Sequence, residues 1–339
     1  MEEEYEVQKR IFDSIKMQLP NDDSLVQVLM DTLYVSQDAA YRRLRGKVEL
    51  TLSETRRLCQ NFKIDFNVFG NIEKGRVEFT YNPLDRRQVN FKSYLIGMRE
   101  DLRRIKNLED PRLLASVNDT PIFQLFNLPD LTRFKFFFWA KTYLKIPEFD
   151  SLKFANEKID NEVLQISIEA HNLYNSIPST EIYSPESLRG TLRQILYYFD
   201  ARLFEDPHYA LKLLDDLIKL LMHMKKQAEV GRKFALNNEP VTSGNEFQMY
   251  SNDTYIYDNT YFFEWNGGSA VYFSHNIMNY LTTADPHYTK ETKLILDQFT
   301  NNSCLISQAN AKERNRFFGN IEQTILKVRR KIELELEIE

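Results

Sequence analysis

The chain has 339 residues, a formal net charge of −5, 42% hydrophobic and 13% aromatic residues. That length accommodates two or three domains with sizeable cores, and the acidic balance argues against a chain-wide affinity for nucleic acid or membrane, so any such site has to be local. Only Cys59 and Cys304 are present, which excludes a disulfide framework and any Cys-based zinc spacing.

The N-terminal stretch MEEEYEVQKR has no apolar signal core. The most apolar run, 134–140, contains Lys135 and falls well short of the roughly 20 residues that span a bilayer. A cytoplasmic protein without a membrane partner is expected. Glycine is scarce, at 10 residues, which favours a mainly α chain.

Four short helices are predicted before residue 72. Val7, Ile11, Ile15 and Leu19 recur on one helical face, and Pro20, Asn21, Asp22 and Asp23 break that helix. Leu25, Val28, Leu29 and Leu33 line a second. Ser36 caps a third, which stops at Gly46. Thr51 and Glu54 form a capping box that opens a fourth, with Thr55, Leu58, Cys59 and Phe62 on one face. Residues 1–72 therefore read as a compact helical domain and 73–90 as a linker with room for a short strand at 76–81.

Helical signals dominate from Phe91, over 91–107, 131–144, 152–176, 185–204 and 207–236, within a domain at 91–238. Ser184 and Asp206 each precede an N1 proline. The stretch 119–131 reads as a buried irregular connection. Composition shifts after Asn237 to a linker-like run and then to the Tyr- and Phe-rich 247–273. There Asn266 and Gly267 predict a type I′ hairpin. Helices are expected again from about Ser274, after Tyr288 and over 311–332, while the closing KIELELEIE fits either a helix or an edge strand. Residues 239–339 are thus a smaller α+β part containing a β-hairpin, either separate from 91–238 or one unit with it.

On a helical wheel Ala40 and Leu44 mark the buried side of the third helix. Asp38, Arg42 and Arg45 point away, and Gln37 lies in the first turn with Tyr41 on the flank. A short second helix, a tight turn and a third helix exposing Arg, Gln and Tyr give the geometry of a helix-turn-helix. Arg pairs with guanine, Gln with adenine, and Asp accepts from cytosine N4. Ser36 and the helix N-terminal amides suit a phosphate, as do Lys47 and Arg56. Between Ser36 and Lys63 there are seven basic and three acidic residues, a local excess of four positive charges.

The residues Val35, Ser36, Arg42, Arg45 and Gly46, followed by Thr51, Leu52, Ser53 and Glu54, resemble the phage repressor and Cro type of helix-turn-helix domain. The resemblance covers about residues 5–70. It implies a four- or five-helix DNA-binding unit in a transcription regulator that acts as a dimer. One departure stands out: Arg43 occupies the place three before the glycine where the family commonly has an apolar residue. A different class of protein remains, a protein-interaction or scaffold module with a helix-turn-helix-like bundle. An apolar groove in place of a positive face over 36–57 would mark it.

The five His are scattered and form no metal spacing, and there is no phosphate loop, GxSxG or CxxC. No enzyme, cofactor or metal is expected. Ala210, Leu214, Leu217, Leu221, Met224 and Ala228 form a heptad-like seam, as do Phe318, Ile321, Ile325, Val328 and Ile332. Either could hold a homodimer, although packing within one domain is favoured for the first. Tyr257, Tyr261 and Trp265 in the aromatic segment are candidates for a small-molecule effector pocket, against strand-forming core as the plainer reading.

Overall fold

The computed structural model describes residues 2–16, 19, 24–62, 64, 77–81, 91–240, 245–254, 258–275 and 279–338, with side chains from Val7 onward. The break at residues 20–23, Lys63, most of the 73–90 linker and Tyr257 lie outside the described residues. The chain divides into two compact units, Met1–Val77 and Glu78–Glu339.

Among the described residues of the first unit four helices follow one another: α1 (Glu2–Lys16), α2 (Leu25–Leu33), α3 (Gln37–Leu44) and α4 (Leu52–Asn61). The ends of α3 and the start of α4 have local causes. The Ser36 hydroxyl accepts from the Ala39 amide, and Thr51 and Glu54 close a capping box on α4. The α3 helix ends in Gly46 at φ 67°, a conformation that glycine adopts without strain. Ile11, Phe12, Ile15, Leu29, Leu33, Ala40 and Leu58 form the core.

The second unit is built on an eight-stranded sheet in the order β1-β7-β6-β5-β2-β3-β4-β8. Its strands are β1 (Thr80–Tyr81), β2 (Arg112–Val117), β3 (Ser179–Tyr183), β4 (Phe247–Ser251), β5 (Thr260–Trp265), β6 (Gly268–His275), β7 (Asn279–Thr283) and β8 (Cys304–Leu305). β2, β3 and β4 run parallel, and the other pairings are antiparallel. The helices are α5 (Phe91–Lys106), α6 (Ile122–Leu125), α7 (Pro129–Phe138), α8 (Asn161–Asn175), α9 (Arg189–Asp200), α10 (Tyr209–Val230), α11 (Pro286–Asn301) and α12 (Ala311–Leu336). Leu113, Ala115 and Val117 of β2 and Phe247 and Met249 of β4 join one large core with most of these helices. On the other sheet face Leu114, Phe262 and Val271 pack on Leu296 of α11.

This overturns the expectation of a mainly α chain with only a small hairpin-bearing part. Of the described residues 57% are helical, but the strands of 91–238 and 239–339 share one mixed sheet. The reason is that β2 and β3 lie within the sheet and carry apolar residues, Leu114 and Ile182, on the face away from the large core as well, which blurs the alternation that marks a half-exposed strand. The helix expected from Ser274 is instead the end of β6 and then β7. The Asn266 and Gly267 hairpin does join β5 to β6, but only Gly267 has positive φ, at 94°, so the turn is not type I′. The closing segment is helical as far as Leu336. The two apolar seams pair with each other: α10 packs on α12, and Leu217 and Ile325 are both fully buried. Neither is a free surface for a second subunit.

Polar side chains run through this core. Glu181 of β3 is fully buried and accepts from the hydroxyls of Tyr174 at 2.5 Å, Ser179 at 2.8 Å and Tyr183 at 2.9 Å. The buried Lys233 ammonium lies 3.7 Å from Glu181 and 3.8 Å over the Tyr174 ring. Burial pulls Lys233 down to about 8, against the opposing pull of Glu181. Nearby, His171 donates from Nδ1 to the Phe123 carbonyl at 2.7 Å, and its Nε2 accepts from Asn175 at 2.7 Å. Both contacts suit the neutral ring. Burial lowers its pKa to about 4, with the Phe123 carbonyl pulling the other way.

A histidine buried neutral makes stability depend on pH. Between pH 6.5 and about 4 the unfolded chain binds a proton on His171 that the folded chain refuses, so stability falls as pH drops through that window, by about 3 kcal/mol for this group. Both Trp residues, Trp139 and Trp265, lie in the second unit, so urea unfolding followed by Trp fluorescence reports on it. His171→Gln should be less stable at pH 7 and decline less steeply than wild type between pH 6.5 and 4. Equal slopes for the two proteins would contradict a buried neutral His171.

Candidate functional site

Two places bring chemistry-bearing side chains together, one in each unit. In the first, the expected reading face lies on α3. Ser36, Gln37, Asp38, Tyr41, Arg42 and Arg45 are exposed, as are Lys47 after the helix and Arg56 on α4. Arg42 and Asp38 form an exposed ion pair at 2.9 Å, so Asp38 has a partner other than a base. Arg45 lies over the Tyr41 ring at 5.5 Å, and Arg57 over the Tyr34 ring at 5.7 Å. Exposed positive charge comes from Arg42, Arg45, Lys47, Arg56 and Arg57, against Asp38 and Glu49.

Arg43 does not belong to that face. Its guanidinium turns inward, donates to Glu54 at 2.7 Å and to the Ala39 carbonyl at 3.1 Å, and is only 13% exposed. Burial pushes the Glu54 carboxyl up, but the Thr51 amide and Arg43 outweigh it and hold the group below its ordinary value. A paired charge at this inward position thus ties α3 to α4. Gln8 of α1 completes the bracing. It is nearly buried, donates to the Arg43 and Val48 carbonyls at 2.8 and 3.1 Å, and accepts from the Leu50 amide at 2.7 Å. The segment between α3 and α4 is therefore bonded to α1 without any contribution from the exposed face.

The second place is a cavity of about 380 Å³ in the second unit, within the range of small-molecule pockets. It opens beyond the C-terminal end of β2, beside the start of β5, the end of β6 and the start of β7. Asn118 and Asp119, which follow β2, both donate their amides to Asn259 Oδ1, at 2.8 and 2.9 Å, and Asn259 Nδ2 returns a bond to the Asp119 carbonyl at 2.7 Å. This clamp fixes the backbone that carries the Asp119 carboxyl. That carboxyl rests against Gly190 of α9, where a Cβ would stand 3.1 Å from Oδ2. Its Oδ1 has no hydrogen-bond partner.

Lys135 of α7 also lines the cavity. It is 3% exposed and donates to Gln194 of α9 at 2.9 Å. Burial raises the Asp119 carboxyl and lowers the Lys135 ammonium, and the attraction between them offsets only part of each shift. The α7 helix continues directly into a π-helical turn, Trp139–Tyr143, and both terminal residues of that turn face the cavity. Such turns inside helices are frequent at functional sites. Of the expected pocket residues, Tyr261 lines the cavity. Trp265 does not, and packs over Gly268 instead. Asp119 and Lys135 were missed, although a lone Lys inside FKFFFWA was a readable signal.

Among the described residues no group of His, Cys, Asp or Glu is placed to hold a metal ion, and no helix is long and apolar enough to cross a membrane. Comparison with family models, with curated proteins and with solved structures returns no match. Any functional reading rests on the geometry itself.

The inward and outward arginines of α3 separate by experiment. Arg43→Ala leaves Glu54 half-buried without its partner and should cost about 1.5–3 kcal/mol, seen as faster hydrogen exchange of the α3 and α4 amides. Arg42→Ala removes only an exposed pair and should leave exchange within about 0.5 kcal/mol of wild type. Equal effects would refute the division of roles.

Proposed function

We propose that the first unit binds DNA in a sequence-specific way, with α3 in the major groove, and that the protein is a transcription regulator. The observation that carries this reading is the sorting of charge on one short helix. Arg43 is spent on the fold, while Gln37, Tyr41, Arg42 and Arg45 remain in solvent on a helix whose ends are capped and whose far side is bonded to α1 and α4. A reading helix needs both features, since base contacts demand a fixed backbone and free side-chain ends. The weak Arg42–Asp38 pair opens at little cost in water and releases the guanidinium for a guanine edge. Lys47, Arg56 and the Ser36 end of α3 are the phosphate contacts of this reading.

An eight-residue helix touches few base pairs. A homodimer on a pseudo-palindrome with half-sites about 10 bp apart is therefore part of the proposal. The Glu78–Glu339 unit then supplies assembly or regulation. The protein-scaffold alternative is less well supported, because the α3 surface presents charge rather than an apolar groove.

Selection from a random duplex pool, followed by anisotropy titrations of the full chain across salt, tests the proposal. Arg42→Ala and Arg45→Ala should each cost about 1–3 kcal/mol on the selected site and relax its preference. Lys47→Ala and Arg56→Ala should weaken binding to all duplexes alike and flatten the salt slope by about one unit per lost contact. If the quadruple variant binds DNA as tightly as wild type, α3 is not a reading helix.

A further inference from the structure

We propose that the cavity at the C-terminal end of β2 binds a small zwitterion, of the class of the aromatic α-amino acids, with its ammonium on Asp119 and its carboxylate on Lys135. This inference stands apart from DNA binding and uses only the second unit. The cavity offers two unlike charges whose mutual attraction offsets only part of the cost of burying each. Lys135 spends one N–H on Gln194, which leaves further donors. The Asp119 carboxyl keeps an unpartnered oxygen although buried, and unpartnered buried polar atoms are uncommon and costly.

A neutral ligand would satisfy hydrogen bonds but leave both charges desolvated. A simple amine or a simple acid would answer one and strand the other. A molecule carrying both charges answers both. Asp258 at the mouth adds a second carboxylate and favours entry of the ammonium end. The remaining walls select the body of the ligand. Tyr94, Trp139, Tyr261 and Tyr280 surround the space, and aromatic faces and edges pack best against another ring. Two devices hold the site in shape without a ligand: the Asn259 clamp on the Asp119 backbone, and the edge-to-face contact of the Tyr261 and Tyr280 rings, 6.1 Å between centres. Preformed polar groups in a largely aromatic hollow are the usual make-up of a small-molecule site.

The experiment is calorimetric titration of the full chain with L-phenylalanine, L-tryptophan, phenethylamine and 3-phenylpropionate. The two amino acids should bind, and each truncated compound should bind at least about tenfold more weakly, as loss of one charge-assisted bond implies. That comparison needs no variant. Asp119→Asn should then weaken the amino acids and phenethylamine while sparing 3-phenylpropionate, and Lys135→Met should do the reverse, with Trp fluorescence checking that each variant is folded. The proposal is overturned if neither amino acid binds more tightly than about 1 mM. It is equally overturned if a truncated compound binds as well as its parent, or if the folded Asp119→Asn protein binds L-phenylalanine like wild type.

Discussion

Strand β2 has to satisfy two neighbours of opposite sense, and the rest of the second unit is arranged around that demand. Its one edge pairs in parallel with β3 and its other edge antiparallel with β5. The parallel partner requires a crossover, and the chain spends α6, α7 and α8 on it, all joined to one core. The antiparallel partner belongs to a hairpin that returns from the far end of the chain. At the C-terminal end of β2 the crossover leaves and the hairpin arrives, so no strand continues across the gap. A hollow there follows from the connectivity, much as ligand sites in open α/β sheets lie beyond the carboxyl ends of strands where connections diverge.

The same demand explains the polar core. The cross-sheet row Tyr261, Ala115, Glu181 and Met249 faces the helices, and Glu181 stands in it because β3 is paired on both sides. A buried carboxylate is tolerable only when its oxygens are fully engaged. Three hydroxyls and the Lys233 ammonium meet that need. Such a set specifies register as well as burial, since shifting β3 by one residue would turn Glu181 to the opposite face.

How much of this could be read from the chain depended on the range of the signals. The first unit is written in local terms: Ser36, Thr51 with Glu54, and Gly46 mark ends that the structure places within a residue or so. The sheet is written in long-range terms. RLLASV has no alternation to separate it from a buried helix segment, and STEIY looks polar until Tyr174 of the preceding helix and Lys233, distant in sequence, come to meet Glu181. The aromatic segment pointed to Tyr261 but equally to Trp265: the two share one face of β5, and composition carries no information about which end of the strand adjoins a cavity. Arg43 illustrates the opposite case. Its place on the inner side of α3 is explained by an ion pair to Glu54, a residue already recognisable as a cap.

The π-helical turn at Trp139–Tyr143 has a geometric consequence for the inheritance of the cavity. In an α-helix a step of four residues overshoots a full turn by about 40°, so side chains four apart drift sideways along the surface. A turn closed by the bond from the Leu144 amide to the Trp139 carbonyl holds more residues, and the same step undershoots. The two drifts oppose each other, and Lys135, Trp139 and Tyr143 line up on the cavity side while the Phe residues between them keep their places in the core. A single-residue deletion inside that turn would restore α-helical winding and swing Tyr143 off the line, leaving the preceding helix as it was. The mouth of the cavity is thus open to remodelling by one codon's gain or loss, with the hydrophobic core left as bystander.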